Sequence, residues 1–284
     1  MLDTDIGWHP GGLVALVIAA RVVPNLVVVT ADETRGRRAQ LARHMLDLLD
    51  RSDIRVIAGF DLGGEDRFLL DNEHPTPTFG EDFLERVRGL DQMIAAIVEL
   101  CESARRTRWA GLGPMSNLTA VISRLPEITD HVMVTQLGGT PDGHRGRAPV
   151  PEHFRVDPTS AGLALRALHT PRLVLGDRTD PDALHIPTNS PLLRALEHAT
   201  APSWAHLLAT HLRAWSTRES IAWTRHPLVL SAALGLPFVA FDTERIEIHP
   251  NAHLARTRHA RPMQISSTVD HSAFLSWTYD ALRV

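Results

Sequence analysis

The sequence predicts an α/β fold, an open and largely parallel sheet flanked by helices, and three observations carry that expectation. Short β-rich apolar runs alternate with amphipathic helical patterns, the signature of βαβ units around a buried parallel sheet. The 284 residues are 44% hydrophobic and contain no long low-complexity tract, which suits one domain over residues 1–284 better than several small ones. Clusters of Asp, Gly and Pro fall at the expected carboxyl ends of the strands, where such sheets bind ligands.

Taken in order, the first strand would carry Asp3 at its end, yet only Met1 and Leu2 precede it, so most of that strand is expected to be missing. The most apolar stretch, Leu13 to Val29, is interrupted by Arg21, Pro24 and Asn25. It therefore reads as helix, turn and buried strand, not as a membrane span or an uncleaved signal segment. Strands are expected at Leu26 to Thr30, Ile54 to Ala58, Arg108 to Gly111, Val132 to Gln136 and Arg172 to Leu175. Helices are expected at about Arg35 to Leu49, Leu90 to Arg105, Asn117 to Arg124 and Pro158 to Leu168; Leu41, Met45, Leu48 and Leu49 recur with the helical period. The last third adds helices over Pro191 to Leu212, β-like pieces at Phe238 to Phe241, Ile246 to His249 and Met263 to Ser266, and a closing helix from Ser272. Three loops exceed what a connection needs and so read as functional: Phe60 to Asp82, Gly138 to Arg155, and the stretch before His226.

Charge excludes one class of partner. The formal net charge is −4, and the 29 basic residues, all Arg, are scattered among 33 acidic ones. No basic stripe tracks phosphates, so nucleic acid is not an expected partner. The one cysteine, Cys101, lies in a helical pattern and cannot form a disulfide within the chain; a reducing cytoplasm is the default.

Four blocks carry chemistry. They are Asp3-Thr4-Asp5-Ile6-Gly7, then Gly111-Leu112-Gly113-Pro114-Met115-Ser116-Asn117 with Val132 to Gly139 behind it, then Glu152-His153-Phe154-Arg155-Val156-Asp157-Pro158, and finally Arg225-His226-Pro227-Leu228. With Asp177-Arg178-Thr179, they span nearly the whole chain. In this order they resemble the nucleoside hydrolases, one open α/β domain whose family splits the N-glycosidic bond of ribonucleosides. The resemblance implies a site at the strand ends in which Asp5 binds calcium and orients the attacking water. Leu112 would supply a carbonyl to the metal, and Asn117 would belong to the ligand-binding turn.

The departures from the family pattern are chemical. The family continues after Gly7 with a pair of acids, whereas this chain has Trp8-His9-Pro10. His226 stands where the family's late metal-binding Asp would be, and Arg225 where many members carry a His that protonates the departing base. Calcium wants six to eight oxygens, so it is expected to bind weakly or not at all. Arg225 cannot serve as an acid near neutral pH, because a guanidinium does not release its proton.

The leading expectation is a nucleoside hydrolase-like enzyme. Asp5, Asp3 and Arg225 would act at the reacting centre, while His9, Glu152, His153 and Asn117 contact the ligand. Asp5, Leu112 and His226 form the candidate metal set. Two alternatives stay open: a repurposed, non-catalytic member binding a nucleoside-like ligand or a protein partner, and an enzyme holding a transition metal at Asp5, His9 and His226. The expected partner is a small nucleoside-like molecule, with no membrane and with self-association into a homo-oligomer left open.

Overall fold

The computed structural model describes residues 1–70, 90–104, 106–138, 152–175, 184–218, 222–223 and 225–284. Its centre is a nine-stranded sheet with strand order β10-β9-β11-β6-β5-β4-β1-β2-β3. These strands are β1 (Leu2–Thr4), β2 (Val27–Thr30), β3 (Arg55–Ala58), β4 (Thr107–Gly111), β5 (Val132–Leu137), β6 (Arg172–Val174), β9 (Val239–Ile248), β10 (Leu254–Arg256) and β11 (Arg261–Val269). From β11 to β3 every pairing is parallel, while β9 runs antiparallel to both β11 and β10. A separate two-stranded ribbon joins β7 (His185–Ile186) to β8 (Ala222–Trp223).

Side chains on a strand alternate between faces. Val28 and Ala110 enter one apolar cluster with the helices α1 (Pro10–Val22), α2 (Arg37–Leu48), α8 (Ser203–Ser216) and α9 (Arg225–Leu234). Val29 and Trp109 enter a second, with α3 (Leu90–Ser103), α4 (Ser116–Arg124) and α6 (Pro158–Ala167). The parallel strands are thus covered on both faces, which is why β2 can be an unbroken Val-Val-Val-Thr. Helix α1 is buried from Pro10 to Ala20 and starts with Pro10, whose missing N–H costs nothing in a first turn.

The first strand is three residues long: Leu2–Thr4 is fully buried inside the sheet, between β4 and β2, and the Met1 ammonium continues the pairing by donating to the Arg108 carbonyl at 2.6 Å. Three residues suffice because neighbours hydrogen-bond on both sides. The helices expected over 191–212 are α7 (Pro191–Leu196) and α8, separated by a turn that ends at Pro202. The two β-like pieces near 238–249 are one strand, β9. Its middle residues are mostly exposed, so polar Asp242 to Arg245 fit a strand whose apolar pattern is interrupted there. Of the three long loops, residues 71–89, 139–151, 219–221 and 224 lie outside the described residues, as does Asp177-Arg178-Thr179. The remaining helices are α5 (Glu152–Val156) and α10 (His271–Ala281).

Candidate functional site

From β1 the chain moves to β2 and β3 on one side, then returns to β4 on the other. That reversal opens a crevice beyond the carboxyl ends of β1 and β4, the place where open α/β sheets receive ligands. Asp3 pairs in register with Gly111, and the Leu112 N–H donates to the Asp3 carbonyl at 2.7 Å, so the first and second motifs lie side by side. Past β1 the chain turns through Asp5, Ile6 and Gly7. Gly7 has φ +95°, and a Cβ there would stand 2.4 Å from the Phe68 ring, so only glycine fits. The His9 Nδ1 then accepts from Gly11 N–H at 3.0 Å and caps α1.

On the β2 side of this turn lies a buried ionic network. Arg38, with its side chain fully buried, donates through Nη1 to the carbonyls of Asp5 (2.6 Å) and Ile6 (2.7 Å), through Nε to the Asp32 carbonyl, and through Nη2 to the Asp32 carboxylate and the Arg67 carbonyl. Arg67 grips the same Asp32 carboxylate bidentately, both bonds being 2.7 Å. Glu33 accepts from the Thr30 hydroxyl and from the backbone N–H groups of Thr34, Arg38 and Ala39. Every buried charge here is hydrogen-bonded, the condition under which burial is tolerated.

The floor is held by Asn117. Its amide nitrogen donates to Asp3 Oδ1 (2.8 Å) and to the Thr30 carbonyl (3.0 Å), and its oxygen accepts from Phe60 N–H (3.0 Å). Burial pushes the Asp3 carboxyl up to about 7, with the Asn117 bond opposing and the charge of Asp5 adding to the rise. Asp3 therefore keeps its proton to a much higher pH than an exposed carboxyl does.

On the α9 side the crevice is lined by imidazoles. His153, on α5, places Nδ1 3.2 Å from Asp5 Oδ2, each side chain being 14% exposed. His226, in the first turn of α9 and 3% exposed, stacks on His9 with ring centres 4.9 Å apart and meets His153 edge-on at 5.7 Å. Trp215 meets His9 edge-on and packs against Trp8, and His211 Nε2 lies 3.0 Å from the Trp8 carbonyl. Neither ring nitrogen of His226 has a hydrogen-bond partner among the described residues. Burial pushes His226 down to about 3, helped by the positive charge of His153. His9 is also held well below its ordinary value by burial and by His226. Burial alone would raise Asp5, but the charge and hydrogen bond of His153, with Arg38 and His226 behind it, hold that carboxyl well below the usual range. The half-buried Arg225 guanidinium is lowered by burial, and it in turn helps keep His226 neutral.

The crevice thus brings together Asp3, Asp5, His9, Leu112, His153, Arg225 and His226, and two expectations change. Asn117 does not face a ligand: it is completely buried, with both amide atoms committed to the floor. Asp5, His9 and His226 do not converge as ligands for a transition metal, because His9 spends Nδ1 on the α1 cap and lies stacked on His226. Among the described residues, no group of three or more His, Cys, Asp or Glu side chains is placed to hold a metal ion. Glu152 opens α5, and its side chain is outside the described residues. Sequence reasoning missed Asp32, Glu33 and Arg38; a run of charges after a strand resembles a solvated loop, and only the fold reveals that it turns inward.

The family model described as inosine-uridine preferring nucleoside hydrolase matches residues 1–276. No curated protein sequence matches the chain. Solved structures share its fold: a plant nucleoside hydrolase has a TM-score of 0.79 at 17% identity, covering 100% of this chain and 98% of the other. An inosine-uridine preferring nucleoside hydrolase from Bacillus anthracis gives 0.70 at 14% identity, covering 99% and 98%. A purine-preferring ribonucleoside hydrolase from Gardnerella vaginalis gives 0.71 at 14% identity, covering 99% and 97%.

Proposed function

Because the chain belongs to the inosine-uridine preferring nucleoside hydrolase family, we propose that it hydrolyses the N-glycosidic bond of a ribonucleoside or related ribosyl compound in the crevice at Asp5, with little or no reliance on calcium. The observation that carries this reading is an ionised Asp5 at the switch point of the sheet, fixed through its own carbonyl by Arg38 and facing His153. Such a carboxylate supplies the negative charge that activates water and stabilises an oxocarbenium-like transition state. Asp3 lies behind it as a buried acid. His9, His153 and Glu152 belong to the sugar side, and Arg225 offsets negative charge developing on the leaving base.

The donor chemistry supports weak calcium binding. Asp3 is engaged by Asn117, Asp5 is engaged by His153, and His226 offers nitrogen where a hard cation wants oxygen. The Arg38 guanidinium already occupies the carbonyls of Asp5 and Ile6. The ligand is a small molecule, and among the described residues no helix is long and apolar enough to cross a membrane. The single buried Cys101 supports a reducing, cytoplasmic setting.

The test compares a p-nitrophenyl riboside with inosine, each with wild type and with Asp5→Asn. Arg225 can stabilise an anion but cannot donate a proton, so the activated riboside should be cleaved faster, and Asp5→Asn should lower both rates by at least about a hundredfold. Cleavage of neither substrate by the wild type would remove the hydrolase reading.

A further inference from the structure

After β3 the chain brings Arg67, Phe68 and Leu69 against the back of the turn that carries Asp5. We propose that Arg67 is a positioning residue for Asp5, acting through Asp32 and Arg38 to set the direction in which the Asp5 carboxylate enters the crevice. This inference rests on the hydrolase reading above.

Arg38 is the relay. A guanidinium has five N–H donors in a fixed plane, and those of Arg38 meet five acceptors: the carbonyls of Asp5, Ile6, Asp32 and Arg67 and one oxygen of the Asp32 carboxylate. With every donor engaged, the group has one orientation, and the carbonyls of Asp5 and Ile6 follow it. Its bond to the Asp32 carboxylate is the longest of the five at 3.2 Å. Arg67 supplies the firmer grip there, with Nε and Nη2 each 2.7 Å from a different carboxylate oxygen. Such a fork fixes a carboxylate in its plane as well as in its place. Asp32 depends on that hold, because its φ of +49° is a left-handed conformation that a non-glycine residue keeps where its surroundings enforce it.

The residues beside Arg67 hold the rest of the turn. Leu69 N–H donates to the Gly7 carbonyl at 2.6 Å, and the Phe68 ring lies where a Gly7 Cβ would stand, with the Arg37 guanidinium 4.4 Å over its face. Three consecutive carbonyls, those of Asp5, Ile6 and Gly7, are therefore held, two by Arg38 and one by Leu69. Peptide planes held in succession leave the turn a single shape, and a carboxylate that must meet water and sugar in one geometry requires that. Arg67 also differs from the groups it orders. Its side chain is 28% exposed, against 1% for Asp32 and 0% for Arg38, so a change at Arg67 loosens the aim of Asp5 without opening the buried part of the network.

The experiment is a double-mutant cycle on the full chain, with a p-nitrophenyl riboside as substrate. Arg67→Gln should lower kcat about 10- to 100-fold and change KM by less than about threefold, because binding contacts stay while the aim of Asp5 is lost. Arg67→Lys should recover at least about threefold of that loss, since an ammonium still meets Asp32 but without the fork. In the Asp5→Asn background, Arg67→Gln should change kcat by less than about twofold, because groups that act as one unit are not additive. A residue that served only the stability of the fold would cost the same in both backgrounds. Circular dichroism at the assay temperature checks folding, and should Arg67→Gln unfold, Arg67→Lys carries the same cycle. A folded variant with the wild-type kcat, or an equal loss in both backgrounds, overturns the proposal while leaving the hydrolase reading intact. A wild type that cleaves no riboside overturns both.

Discussion

The two walls of the crevice bury ionisable groups in opposite ways. On the β2 wall, Asp32, Glu33, Arg38 and Arg67 form a closed set in which each charge meets several partners. On the α9 wall, His226 is as deeply buried, yet neither of its nitrogens is hydrogen-bonded among the described residues. A satisfied network rigidifies a fold, whereas a buried polar atom without a partner is a cost that persists where a ligand can answer it. The two walls should therefore respond differently to substitution.

The largest effect is expected on the scaffold wall. Replacing Arg38 with Met removes the donors to the carbonyls of Asp5, Ile6, Asp32 and Arg67 and weakens the hold on Asp32, all of it out of water. Breaking a buried charge network from one side typically costs about 3–5 kcal/mol. His226→Phe should cost about 1 kcal/mol or less, because it keeps a ring against His9 and removes two unanswered polar atoms. Urea unfolding of the two variants measures the contrast, and equal losses would break the distinction between the walls.

A smaller effect is expected in the acid dependence of stability. His9, His211 and His226 all have folded values below the ordinary 6.5, chiefly through burial, so near pH 5 the unfolded chain binds three protons on them that the folded chain does not. Asp3 works the other way: raised from 3.8 to about 7, it holds one proton in the folded state that the unfolded chain lacks. The balance favours proton uptake on unfolding, so stability falls as pH drops from about 6.5 toward 4. The stabilising contribution of Asp5, whose folded value is depressed, is lost only below 3.8. Each net proton gives about 1.4 kcal/mol per pH unit at full effect. His226→Phe should therefore flatten the slope between pH 6 and 4.5 by about one proton, read from unfolding midpoints at several pH values. An unchanged slope would mean that His226 is protonated in the folded chain.

Much of the fold was legible because it rests on local pattern. The run at Val27–Thr30 and the periodic Leu41, Met45 and Leu48 declare strand and helix by themselves. β1 was harder, since its strand character comes from pairing on both sides rather than from its length. The site was legible where a motif carried it, at Asp3, Asp5 and His226. It was not legible at Arg38, whose partners are carbonyls 32 and 33 residues away. Nor was Asn117 assigned its role, because its neighbours Asp3, Thr30 and Phe60 meet only after β1, β2 and β4 align.

The smallest effect is the response to calcium, and it decides whether the α9 wall awaits a cation. A ligand that binds only the folded chain stabilises it by RT ln(1 + [L]/Kd), so a site with Kd near 10 μM would gain about 2.7 kcal/mol in 1 mM calcium. For a domain of this size that gain would move Tm by several degrees. Here the crevice offers the Asp5 carboxylate already facing His153, an Asp3 carboxyl that holds a proton near neutrality, and the neutral imidazoles His9 and His226. An oxygen-seeking cation would have to displace His153 and deprotonate Asp3 against burial, so the expected change in Tm between chelator and 1 mM calcium is under about 1 °C at pH 7. A rise of several degrees would show that oxygens outside the described residues complete a calcium site. The same rise in His153→Gln but not in wild type would show that His153 is what holds the cation out.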